Sequence, residues 1–153
     1  MSSARRKSRE FALQGLYQWQ LNGGTATQVL KNLSELDGFQ KADEEFLKSE
    51  LKGAIGKADE LRGKIEPLVD RKWGDVSPIE RSILLIGAWE LVHCPEIPYR
   101  ATINEAIELG KRFGGTEGHK YVNGVLDKLA KSVRPDEVAG GGPPRGQDRK
   151  SKG

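Results

Sequence analysis

Cysteine, histidine and long apolar runs are almost missing from this sequence of 153 residues. Its one cysteine, Cys94, has no partner for an internal disulfide, which excludes a bridge-stapled fold and fits a reducing compartment. The two histidines, His93 and His119, are far apart, so with the single thiol they supply neither a metal-ligand spacing nor a nucleophile paired with a base. No apolar run approaches about 18 residues, which excludes a membrane span. Basic residues open the chain, but Glu10, Gln14, Gln18 and Gln20 interrupt the stretch that follows, so a secretory signal is not expected and the chain reads as cytoplasmic. Strict period-two alternation is lacking as well, which leaves no candidate strand. The run Gly114-Gly115-Thr116-Glu117-Gly118 looks like a phosphate loop only on its surface. Without a preceding strand or a GK[ST] ending it reads as a turn between helices. Asp43, Glu44 and Glu45 sit at an expected helix start, where the dipole accounts for them. No catalytic constellation, cofactor site or metal site emerges.

What is present is helical periodicity from one end to the other. At 36% hydrophobic and 31% charged residues the composition is globular, and the length suits one compact unit with tails. Ala12, Leu16 and Trp19 share a face of a first helix that Asn22-Gly23-Gly24 ends, and Thr25 opens a short second one. Further periodic stretches run through Phe46, Leu47, Leu51 and Ile55, then through Ala58, Leu61, Ile65 and Leu68. Ser77-Pro78-Ile79-Glu80 combines a cap, a first-turn proline and a glutamate three residues on, a strong helix start. The ILLIGAWELV that follows is apolar nearly all round, which predicts a central helix over 78–92 wrapped by others. Thr102-Ile103-Asn104-Glu105 reads as a second capping box, and Gly114-Gly115 closes the helix it opens. A last helix carries Val122, Val125, Leu126, Leu129 and Val133. From Pro135 onward little is available to bury, which predicts a disordered Gly/Pro/basic tail over 135–153 behind a helical domain of residues 1–134. The expected fold is all-α, about seven helices, with a smaller N-terminal bundle packed on a larger C-terminal one.

Charge is concentrated at the ends. The net charge is only +3, yet residues 1–10 hold four cations against one anion and residues 134–153 five against three. The stretch ARRKSRE puts Arg5, Arg6, Lys7 and Arg9 just ahead of the apolar periodicity. At about 100° per residue these four encircle the helix rather than lining one side of it. Glu10 is the only acid nearby, and a cation at a helix N-terminus is disfavoured by about 0.3–1 kcal/mol. The segment is therefore expected to fray until an anion arrives. Arginine predominance suits phosphate and base edges, because the guanidinium fork bonds bidentately and stacks. A solvated, solubilising terminus fits the charge alone equally well.

Three stretches, ARRKSREFALQGLYQWQ, SPIERSILLIGAWEL and IPYRATINEAIELGKRFGGTEGHKYVNGVLDKLA, together resemble the NusB family of bacterial transcription antitermination factors over residues 4–134. The third stretch is the most specific of them. The resemblance implies a noncatalytic helical protein that binds the single-stranded boxA element of nascent ribosomal RNA leaders together with the ribosomal protein NusE. It also implies membership of an antitermination complex with RNA polymerase and other Nus factors. Arg5, Arg6, Lys7 and Arg9 match the family's RNA-contacting N-terminus. By the same resemblance Tyr17, Glu80, Phe113 and Lys120 lie near the RNA and partner surface, although core-edge packing, a capping box and an apolar stripe would explain the first three. The same fold serves as the N-terminal domain of ribosomal RNA cytosine methyltransferases, but no glycine-rich cofactor-binding unit follows here. Whether the chain works as a monomer or as a homodimer that hides its RNA surface stays open.

Overall fold

A computed structural model describes residues 3–140. Among these residues eight α-helices occur and no strand: α1 (Ser3–Asn22), α2 (Ala26–Leu33), α3 (Glu44–Gly56), α4 (Ala58–Ile65), α5 (Pro78–His93), α6 (Tyr99–Phe113), α7 (Gly118–Val133) and α8 (Pro135–Ala139). Three short 3-10 turns join them, at Phe39–Lys41, Glu66–Leu68 and Trp73–Asp75. The smaller bundle is α1–α3; α4, α6 and α7 gather on α5, and α1 and α3 pack on α5 from the other side. The all-round apolar sequence of α5 is explained by that position. Ile83, Leu84, Leu85, Ile86 and Ala88 are all buried against neighbours on several sides.

Local signals set most boundaries. Gly23 (φ 74°) and Gly24 (φ 101°) take left-handed backbone after α1, which side chains with a Cβ rarely adopt. Thr25 and Gln28 then form a reciprocal capping box on α2. Asp43 accepts from the Phe46 amide at the start of α3, and Ser77 accepts from the Glu80 amide at the start of α5. At Gly110 a Cβ would stand 2.7 Å from the His119 Cα, so only glycine lets α6 and α7 approach this closely.

Two expectations are corrected. Helix α6 begins at Tyr99, three residues ahead of the expected box; Thr102 lies inside it and donates its hydroxyl to Glu90 (2.7 Å) instead of capping. The N-terminus of α6 is served from a distance, as the Tyr99 amide donates to Glu137 Oε2 (2.9 Å). The folded body also runs past residue 134. Buried Arg134 donates to the carbonyls of Glu90, Leu91, Cys94 and Ile97 at 2.6–3.0 Å, tying together the last turn of α5 and the loop after it, and α8 follows it. Residues 141–153, most of the expected tail, lie outside the described residues.

Candidate nucleic-acid interface

The basic N-terminus is an ordered helix whose cations each meet an acid of the fold. Arg6 forms a bidentate pair with Glu105 of α6 (Nε–Oε1 3.0 Å, Nη2–Oε2 2.8 Å) while keeping about half of its side chain exposed. Arg5 lies over the Phe46 ring (4.5 Å) with Asp43 3.8 Å away, and Lys7 stands 3.5 Å from Glu10. The expected fraying is thus overturned. Its reason is long-range pairing: the acids are 99 residues away for Arg6 and 81 for Arg9, where an i+4 search cannot find them.

Arg9 is a second correction. It is 1% exposed, its guanidinium donates to both oxygens of Glu90 (2.8 and 2.9 Å), and it lies over the Phe46 ring (4.9 Å). Its position facing Ala12 and Leu16 put it into the core, so in this fold it has no surface to offer an RNA. Glu50 joins the same buried cluster. Burial above all, and the nearby Glu90, push its carboxyl well above the usual carboxylate range, which favours the protonated form; neither of its oxygens has a hydrogen-bond partner among the described residues. Burial disfavours charge on Glu90 too, but the hydrogen bonds from Arg9 and Thr102 outweigh it and hold this carboxyl below the ordinary carboxylate value.

The remaining positions gather along one route over the surface. Arg6, Glu10 and Tyr17 share a stripe of α1, because steps of four and seven residues nearly close a whole number of helical turns. Arg112, at the end of α6, pairs with Glu10 and lies 5.2 Å over the ring of its neighbour Phe113, which is half-buried against the core. Tyr17 is 36% exposed, and next to its stripe Gln20 donates to Ser82 (2.6 Å) and accepts from Arg81 (2.7 Å), tying α1 to the start of α5. Glu80, half-buried, sits against Gly118, where a Cβ would meet its Oε2 at 2.8 Å. Lys120 is exposed and pairs with Glu117 (3.0 Å).

Two neighbours of this route were not singled out from the sequence. Arg71 stacks on the Tyr121 ring (4.4 Å) beside Asp70, and the Tyr121 hydroxyl is buried without a partner among the described residues. Burial raises the Tyr121 pKa, with Arg71 opposing. Arg112 reads in sequence as a dipole-favoured cation, and nothing local reveals that it reaches Glu10. Chemically, the route offers part-exposed guanidinium and ammonium groups, two of its acids, Glu10 and Glu105, being buried, with aromatic rings between them. The Arg5–Asp43 pair is open on both sides, and exposed pairs contribute about 0–1 kcal/mol, so Arg5 can exchange its carboxylate for a phosphate at little cost, while Arg6 and Lys7 keep part of their side chains at the surface and can meet a phosphate while still held by their acids. Breaking the buried Arg9 pair costs about 3–5 kcal/mol, so Arg9 cannot. No helix is long and apolar enough to cross a membrane, and no acid, histidine and cysteine cluster suits a metal ion, among the described residues.

Comparison with known proteins concerns the family and the fold. A transcription antitermination protein NusB from Thiobacillus denitrificans is 52% identical over 138 residues, covering 90% of this chain and 95% of the relative. The solved structure of T. maritima NusB superposes with a TM-score of 0.79 at 28% identity, covering 92% of this chain and 99% of that one. A crystal structure of the antitermination factors NusB and NusE with double-stranded RNA has the same fold (TM-score 0.76, 24% identity, 86% and 99% covered). The NusB family model matches residues 6–131, and with this fold and these relatives the chain belongs to the NusB family of noncatalytic transcription antitermination proteins.

Proposed function

We propose that the chain binds the boxA element of nascent ribosomal RNA transcripts together with the ribosomal protein NusE, and that it supports transcription of ribosomal RNA operons in the cytoplasm. The pair acts as a scaffold within an antitermination complex that includes RNA polymerase and other Nus factors. The observation that carries this reading is the convergence of exposed Arg5, Arg6 and Arg112 and half-buried Lys7 with Tyr17 and Phe113 along one route, the mixture of fork donors and rings that single strands bind. A fold neighbour solved with NusE and RNA supports the ligand classes. Arg5, Arg6 and Lys7 neutralise phosphates with the parts of their side chains that reach the surface, Tyr17 and Phe113 offer faces to bases, and Glu80 and Lys120 border the path. Arg9 holds α1 in place and touches no RNA.

A second reading has an observation of its own. Because the N-terminal cations already have acidic partners, a helical adaptor that binds only protein is also consistent with them. Titration of the full chain with boxA RNA and with a scrambled sequence, each with and without NusE, separates the two. Tighter binding of boxA by the pair is expected. Equal affinity for both RNAs leaves only general polyanion attraction, and no RNA binding at all leaves the adaptor.

A further inference from the structure

Two carboxamide pairs line one cleft at the α1–α2 turn. Gln18 and Asn22 stand four residues apart on α1, Gln28 and Asn32 four apart on α2, and all four edge a cleft of about 360 Å³ together with Trp19 and Val29. Spacing of four puts each pair on one helix face. The left-handed turn at Gly23 and Gly24 brings the two faces together. Val29 is buried (4% exposed) and Trp19 half-buried, so the cleft has an apolar side as well as a polar rim. Gln28 uses its carbonyl oxygen to accept from the Thr25 amide (2.9 Å), which leaves its NH2 as a donor. Gln18, Asn22 and Asn32 commit no side-chain donor or acceptor to the rest of the protein among the described residues.

The chemistry of this lining is selective. With no charged group among the lining residues it gives an anion no counter-charge and gives a hard cation no carboxylate. A wholly apolar side chain would leave the amide groups desolvated and unpaired. A planar, neutral heterocycle with donors and acceptors on its edge meets every requirement, and the cleft volume falls within the range of about 300–1,000 Å³ usual for small-ligand sites. Among the bases, adenine presents the N6 donor and N7 acceptor that one carboxamide matches with both its atoms. Gln18 follows Tyr17 and Asn22 follows Leu21, whose side chains are exposed at 36% and 59%, so the cleft opens beside the stripe assigned to RNA. We infer that this carboxamide cleft receives an adenine base from an RNA strand that crosses Tyr17, a base-reading contact separate from the phosphate contacts at the start of α1. This rests on the RNA reading given above.

The test uses the full chain with NusE and two RNAs, boxA extended by a short run of adenosines and boxA extended by uridines. The unaltered chain should bind the adenosine-extended RNA about tenfold more tightly, the size of one good base contact. The Q18A/N22A variant, and separately N32A, should erase that preference while leaving the salt dependence unchanged, because no phosphate contact is lost; circular dichroism confirms that these exposed-helix variants are folded. A preference that survives both variants, or none in the unaltered chain, overturns the inference while the RNA reading stands. Failure of the unaltered chain to bind either RNA overturns both. Tighter binding of free adenosine than of the extension would assign the cleft to a nucleoside and overturn its role in RNA binding.

Discussion

Replacing Arg9 by alanine removes the guanidinium from a cluster that already contains two carboxyl groups. Glu90 is 0% exposed and Glu50 1%, so the variant leaves a carboxylate buried with only the Thr102 hydroxyl bonded to it. Breaking one side of a buried pair costs about 3–5 kcal/mol. Against a total stability of about 5–15 kcal/mol that is a large fraction. For a chain of this length each kcal/mol moves the melting temperature by about 2–4 °C, so a fall of about 6–20 °C is expected. The deficit should also depend on pH. Without the guanidinium the Glu90 carboxyl titrates upward, so the variant is least impaired in acid and loses ground as pH rises. The R6A variant is the graded control: Arg6 is half-exposed although Glu105 is buried, so its loss should cost clearly less than the fully buried pair's loss of about 3–5 kcal/mol. Urea denaturation of R9A and R6A over a pH series checks all of this. A loss below about 1 kcal/mol for R9A, accompanied by weakened RNA binding in the intact fold, would refute the structural role and return Arg9 to the RNA surface.

Other perturbations follow from the same packing. Because the folded protein holds the Glu50 carboxyl protonated, its contribution is intact below the ordinary carboxylate range and declines as pH rises through the raised folded value. E50Q puts a neutral carboxamide beside Glu90 without a titrating proton, so it should be the more stable form at neutral and alkaline pH and lose its advantage in acid, as read from paired urea titrations. R134A removes four carbonyl contacts at the end of α5 and the link to Glu137, and should cost about 2–4 kcal/mol in the same assay, far more than an exposed arginine would. G53A would force a Cβ to within 2.2 Å of the Trp89 ring, and a loss of about 1–3 kcal/mol is expected; an unchanged melt would mean that α3 and α5 are free to separate.

Much of the fold was legible because each helix carries its own start, period or stop. Ser77-Pro78 fixed the beginning of α5, Gly23-Gly24 the end of α1, and the unbroken apolar run of α5 marked the centre of the core. Reading failed where one helix is completed by residues far away in the chain. Thr102 resembles a cap but serves Glu90, and the N-terminus of α6 is served by Glu137. Pro135 resembles the start of a tail, but Arg134 just before it is bound by carbonyls of α5 and the loop after it, which no pattern in DEVAGGG announces. The basic cluster shows the same limit. Its composition pointed to a polyanion, whereas which of its four cations remain on the surface depends on Asp43, Glu90 and Glu105 arriving from other helices.

The central claim is that Arg5, Arg6 and Lys7, whose side chains reach the surface, and not buried Arg9, meet RNA phosphates. The most direct measurement is the slope of log K against log salt concentration for boxA RNA with NusE present, compared between the unaltered chain and the R5A/R6A/K7A variant. Single-stranded RNA gives about −0.7 for each phosphate neutralised, so the triple variant should bind more weakly with a slope flatter by up to about 2. The same affinity and the same slope in both proteins would contradict the account.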